Sequence, residues 1–162
     1  MTGKADFTEA EWKRLKRAPF IAGMAISLSD PGGPISLVKE TAAALQVIAQ
    51  AGDRGAFVAA LSTEATAEAR ERHNPYGDFK AKGAQSAQEI VEEIGAVNRI
   101  VTLKADPEEA EAYRSWVWDA ARGAANAAKE GGFLGIGAVL VSDRENEMLD
   151  RLEEALAKPK EE

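Results

Sequence analysis

Four acidic residues flank a glycine-rich, uncharged segment late in the chain. Glu130 precedes the segment, and Asp143, Glu145 and Glu147 follow it. Hard divalent cations such as Ca²⁺ and Mg²⁺ are held by several carboxylate and carbonyl oxygens that converge on one point. These four residues are therefore the candidate metal ligands, although their spacing does not match the alternating ligands of an EF-hand loop. The competing interpretation, which the sequence favours, is that they cap a helix and cover a solvated acidic surface.

Few residues in this chain are suited to catalysis. Asp143, Glu145 and Glu147 are the carboxylates that an enzyme would use, and this is the least favoured of three functions. The single histidine, His73, lies in a polar stretch before Asn74 and is expected to be an exposed loop residue. One histidine excludes, within one chain, a di-iron site that needs Glu-x-x-His from two helices. The absence of cysteine excludes disulfides, a thiol nucleophile and a cysteine zinc site.

The segment that follows Gly131 and Gly132 is rich in glycine and carries no charge. It does not match a phosphate-binding loop, because Ser142 is not preceded by lysine. We expect its apolar side chains to cover one end of a helical bundle. The alternative is an exposed apolar patch that docks a partner. The residues that would form such a patch are Phe133, Leu134 and Ile136.

Two tryptophans, Trp116 and Trp118, lie close together in a region with helical spacing. Residues two positions apart point about 200° apart around a helix, so both cannot face the same core. One of them faces a second helix layer, another subunit or water, and aromatic residues are enriched at interfaces. An alanine-rich face follows on the same helix, which favours close contact with another helix. We therefore expect a homodimer or another protein partner, with Trp116 and Trp118 in the interface.

Apolar residues recur three, four and seven positions apart along the chain. This spacing predicts an all-helical, single compact domain of about six or seven helices. Strand alternation and hairpin signals are not evident. Residues 73–85 are expected to form a loop, and residues 1–7 and 158–162 to fray. The predicted helices cover approximately residues 9–17, 19–29, 35–51, 62–72, 86–104, 107–129 and 143–157.

Helix start and stop signals support these boundaries. Pro19 lacks an amide proton, which predicts a break between the first two helices. Asp106 and Pro107 are typical of a helix start, and Ser142 with Glu145 forms a capping box. Two prolines and two glycines interrupt the chain within residues 30–34, so a helix ends there.

Residues 21–48 and 120–156 share one plan, in which a helix of small residues, a glycine-rich connection and an amphipathic helix follow each other. This predicts two pseudo-repeated helical hairpins. The segments 127–132 and 141–145 resemble the helix–turn–helix unit of TerB-like proteins, the tellurite-resistance family. The resemblance implies an all-helical fold and divalent-metal binding by acidic turn residues. In the first hairpin, Asp30 and Glu40 would be the corresponding acids.

Charge constrains the class of partner. The chain has 20 basic and 27 acidic residues and a net charge of −7, which disfavours binding to nucleic acid. A local basic cluster, Lys13, Arg14, Lys16 and Arg17, is expected to form a solvated helix face. The start of the chain lacks the apolar core of a signal peptide, and no stretch is long and apolar enough for a membrane span. These features predict a cytoplasmic protein.

The leading prediction is therefore a non-enzymatic cytoplasmic helical protein that acts through protein–protein contacts, as a homodimer and without a cofactor. The alternative is a TerB-like, divalent-cation-binding stress-response domain, as the resemblance implies. A carboxylate-dependent enzyme is the third possibility.

Overall fold

The computed structural model describes residues 1–29, 34–82, 85–129 and 141–157. All regular structure within these ranges is helical, which confirms the predicted all-α domain. Of the described helices, none has the length and apolarity needed to cross a bilayer. A short 3₁₀ helix, Lys4–Asp6, precedes six α-helices: α1 Glu9–Ser29, α2 Pro34–Ala49, α3 Ala56–Arg70, α4 Ser86–Lys104, α5 Pro107–Lys129 and α6 Asp143–Leu156.

Helix α1 runs without interruption through Pro19, so the predicted break at this residue is wrong. A proline inside a helix leaves the carbonyl four residues earlier without its N–H donor. That carbonyl belongs to Leu15, and the Tyr113 hydroxyl of α5 donates a hydrogen bond to it over 2.9 Å. Leu15 and Tyr113 are both fully buried. A side chain nearly a hundred positions away therefore replaces the missing backbone donor.

The other helices pack around α1, which contacts all five of them. Helix α5 runs parallel to α1, because Leu15 meets Tyr113 and Gly23 lies near the Ala120 carbonyl further along both helices. Helix α2 lies against both of them. A Cβ placed on Gly23 would stand 3.0 Å from the Ala44 Cβ of α2. The absence of a side chain at Gly23 thus allows close approach of α1 and α2.

A row of five aromatic rings fills the core near the start of α1, with neighbouring ring centroids between 5.5 and 6.1 Å apart. Its first member is Phe7, which is only 8% exposed, so the predicted fraying of residues 1–7 does not describe this residue. The row consists of Phe7, Trp12, Phe57, Tyr113 and Trp116.

Helix α3 begins at Ala56, well before the predicted start at residue 62. The residues before Ser62 form a short apolar run, and Phe57 and Leu61 from that run are buried in the core. The Ser62 hydroxyl does not cap α3 but donates to the Ile48 carbonyl of α2 over 2.6 Å. Burial of these side chains in the core thus extends the helix toward its N-terminus, upstream of the local start signal.

The end of α6 is held by a buried polar network. The Asn98 amide of α4 donates to the carbonyls of Ala155 and Ala157, over 3.0 and 2.9 Å. The Arg114 guanidinium of α5 donates in turn to the Asn98 side-chain oxygen over 2.8 Å. These bonds satisfy carbonyls that a helix C-terminus leaves free, and they connect α4, α5 and α6.

Replacing Tyr113 with Phe should lower the free energy of unfolding by about 1–3 kcal/mol, because the buried Leu15 carbonyl loses its donor. In a Pro19→Ala background, the restored N–H of residue 19 can bond to the same carbonyl. In this background, replacing Tyr113 with Phe should lower the free energy of unfolding by much less. Urea unfolding of the four proteins in this double-mutant cycle measures the difference. An equal cost in both backgrounds would show that the hydroxyl does not compensate for Pro19.

Candidate functional site

A cavity of about 410 Å³ lies between α1, α3 and the loop that follows α3. It is called the cationic cavity here because three basic side chains line it. The spacing of its α1 residues is three and four, so they share one face of the helix. The lining residues are Lys13, Lys16, Arg17 and Phe20 of α1, Ala65 and Glu68 of α3, and Asn74, Pro75, Gly77 and Asp78 of the loop.

Two of these cations are largely withdrawn from water. The side chains of Lys16 and Arg17 are 10% and 13% exposed, so the prediction that they lie on a solvated helix face is wrong. Lys16 is paired with Glu68, and its ammonium also lies 3.5 Å from the Glu64 carboxylate. Burying a charge is costly unless an opposite charge accompanies it, and α3 supplies these carboxylates.

Arg17 has partners on two sides of the cavity. Its guanidinium pairs with Asp78 of the loop and with Glu93 of α4, the latter at 3.1 Å. The Phe79 ring lies 5.6 Å from the centre of the guanidinium, within the range of a cation–π contact. The Nε–H of Arg17 is buried and has no hydrogen-bond acceptor among the described residues. One donor of Arg17 is thus unsatisfied.

Glu93 joins the two arginines of α1 on the side facing α4. Arg14 donates two hydrogen bonds to its carboxylate, at 2.7 and 3.0 Å, and the Glu93 side chain is 12% exposed. Burial by itself would raise the pKa of Glu93, but the hydrogen bonds from Arg14 and Arg17 outweigh it. The pKa of Glu93 therefore lies below its ordinary value of 4.5. This carboxylate stays ionised at neutral pH and fixes both guanidinium groups.

The loop after α3 is shaped by its own backbone and side-chain bonds. The Asn74 side chain accepts from the Tyr76 N–H at 3.1 Å and donates to the Gly77 carbonyl at 3.2 Å. Gly77 has φ of 59°, which glycine adopts without strain. The turn places Asp78 against Arg17. His73 lies outside the cavity lining, and its side chain is 64% exposed, as expected for a loop histidine.

The predicted metal ligands do not form a cluster in the described part of the chain. Asp143 and Glu147 are exposed, and Glu130 lies outside the described residues, as does Asp30 of the first hairpin. Glu145 is buried, and its carboxylate accepts from the Ser142 N–H at 2.8 Å. This is the predicted capping box. Within the described ranges, no three carboxylate or imidazole side chains come close enough together to hold a metal ion.

The predicted interface residues are separated by the fold. Trp116 is fully buried beside Tyr113, so it presents no surface to a second chain. Trp118 is half-buried and lines a shallow groove between α5 and α6 that also contains Leu156. The two rings thus point in different directions, as their spacing predicts. Phe133, Leu134 and Ile136 lie outside the described residues.

Two large aliphatic side chains are exposed where α1 ends and α2 begins. Leu28 is 51% exposed and Val38 is 68% exposed. This surface, called the α1–α2 end, escaped sequence analysis because both residues fit the apolar stripes of their helices. Leu103 is 83% exposed at the opposite end of the bundle, where Lys104 of α4 pairs with Glu11 near the start of α1.

The cationic cavity also escaped sequence analysis, although a signal for it was present. Lys13, Lys16 and Phe20 recur at helical spacing on α1, but the sequence alone does not show which helix faces them.

In comparisons with known protein families, curated proteins and solved structures, nothing matches this chain.

Replacing Glu93 with Gln should lower the free energy of unfolding at pH 7 by about 1–3 kcal/mol, because two part-buried guanidinium groups lose a charged acceptor. Since the pKa of Glu93 is lowered in the folded state, its contribution is complete above pH 4.5 and is lost as the pH falls through the folded-state value. The difference between the wild type and the variant should therefore shrink in acid.

Urea unfolding at pH 7 and at about pH 3 measures this effect. Glu92→Gln is the matched control, since Glu92 is the exposed neighbour of Glu93 and accepts a hydrogen bond from Gln88 on the helix surface. A loss of stability that is equal for the two variants, or that is independent of pH, would contradict the assigned role of Glu93.

Proposed function

We propose that the protein is a non-enzymatic domain that acts through protein contacts, and that it binds a second copy of itself at the α1–α2 end. The observation that carries this proposal is the exposure of Leu28 and Val38, at 51% and 68%. Large aliphatic side chains that are exposed to water favour burial against a partner. Leu28 and Val38 lie on consecutive helices that pack against each other.

The charge distribution supports contact at this end. The net charge of −7 makes two copies repel each other over most of their surfaces. Between residues 18 and 38, however, Asp30 is the only charged residue. Two copies therefore meet with the least repulsion when these parts of the chain face each other. Lys39, which is exposed next to Val38, supplies a polar rim of the kind that surrounds apolar interface centres.

The direction of the helices adds to this argument. Because α5 runs parallel to α1, the last residue of α5, Lys129, lies toward the same end of the bundle as Ser29. Lys129 is followed by Glu130 and then by residues 131–142, which carry no charge. A two-fold symmetric contact uses one patch twice, so one patch around Leu28 and Val38 is sufficient for a closed dimer.

Sedimentation equilibrium of the full chain tests the proposal. The wild type should show a mass of twice 17.3 kDa at high concentration, and the double variant Leu28→Glu/Val38→Glu should remain at 17.3 kDa. New charges buried in a symmetric interface repel each other and lose hydration, which opposes association. Thermal unfolding of the variant confirms that its fold is intact.

Leu103→Glu is the matched control, because Leu103 is the more exposed side chain but lies at the opposite end of the bundle. It should leave the dimer unchanged. A wild type that is monomeric up to about millimolar concentration, or a Leu103→Glu variant that dissociates as much as the double variant, would refute dimerisation at the α1–α2 end.

A further inference from the structure

We infer that the cationic cavity binds a small molecule with one anionic oxygen group on an apolar body, with the anionic group at Arg17. This inference does not depend on dimerisation, since the cavity lies on the other half of α1. It is carried by the burial of the cations, the exposure of Asp78 as a partner of Arg17 and the apolar part of the lining.

The first step is the incomplete set of acceptors around Arg17. A guanidinium group has five N–H donors and no acceptor. Asp78 and Glu93 accept from its two terminal nitrogens, whereas the Nε–H is buried without an acceptor in the described residues. Because the Nε atom is closed to solvent, an anion in the cavity would be held by the terminal nitrogens, one of which Asp78 occupies.

The second step is the unequal strength of the two carboxylates on Arg17. Glu93 is 12% exposed and is held by two further hydrogen bonds from Arg14. Asp78 is 95% exposed and comes from a loop. An ion pair with so exposed a partner contributes little to stability, so a ligand anion can displace it at small cost. Asp78 thus occupies the position that the ligand's anionic group would take.

The third step is the size and polarity of the cavity. Its volume of about 410 Å³ lies within the range of cavities that hold small organic ligands. Phe20, Ala65 and Pro75 form an apolar part of the lining, which a hydrated inorganic ion would leave unused. Each lining cation already has a carboxylate partner: Lys13 pairs with Glu9, Lys16 with Glu68, and Arg17 with Asp78 and Glu93. A ligand that displaces Asp78, the most exposed of these partners, therefore replaces one negative charge. This balance favours a ligand with a single anionic group.

The test is calorimetric and NMR titration of the full chain with benzoate, phenyl phosphate, inorganic phosphate and benzylamine. Benzoate or phenyl phosphate should bind, and the preference between them identifies the carboxylate or the phosphate as the anionic group. Inorganic phosphate should bind more weakly because it makes no use of the apolar lining. Benzylamine, which has the same ring with a positive charge, should not bind.

Asp78→Asn should tighten anion binding by about two- to fivefold, the equivalent of one surface ion pair, because it removes the competing carboxylate. Asp53→Asn changes the net charge equally at an exposed residue outside the cavity lining and should have a much smaller effect. The inference is overturned if neither aromatic anion binds at millimolar concentration, if benzylamine binds as well as benzoate, or if the two variants behave alike. Equal binding of inorganic phosphate and phenyl phosphate would refute the inference that the ligand has an apolar body.

Discussion

The hydrogen bond from the Tyr113 hydroxyl to the Leu15 carbonyl is the contact on which the arrangement of this domain depends. Pro19 removes the donor that this carbonyl would have inside α1, and α5 supplies another from its own side chain. Burial raises the pKa of the Tyr113 hydroxyl well above its ordinary value, so it remains a donor at all physiological pH values. Helix α1 can therefore continue as one buried helix, against which every other helix packs.

The central position of α1 has a consequence for its charged half. A helix surrounded by neighbours cannot expose all of its lysines and arginines to water, so each buried cation needs a carboxylate from an adjacent element. Glu68 of α3, Glu93 of α4 and Asp78 of the loop fill this role. The fold thereby creates a cavity in which cations are held by partners of very different exposure.

The other half of α1 has the opposite character. It is uncharged from Ala18 to Ser29, and small residues such as Gly23 allow α2 and α5 to approach closely. Where this half reaches the end of the bundle, Leu28 and Val38 are exposed. One helix thus carries two surfaces of different chemistry at its two ends. The proposed ligand and the proposed partner would use separate ends, which allows each to be tested by variants that leave the other unchanged.

The sequence by itself determined most helix positions, because capping residues such as Ser142 with Glu145 and the periodic stripe of α4 act locally. Only the tertiary structure decided that α1 passes through Pro19 and that α3 begins at Ala56, since both depend on contacts with distant residues. The same applies to the site: the chain shows that Lys16 and Arg17 are neighbouring cations on one helix. Their burial and their partners follow from how the neighbouring helices pack, which no local pattern specifies.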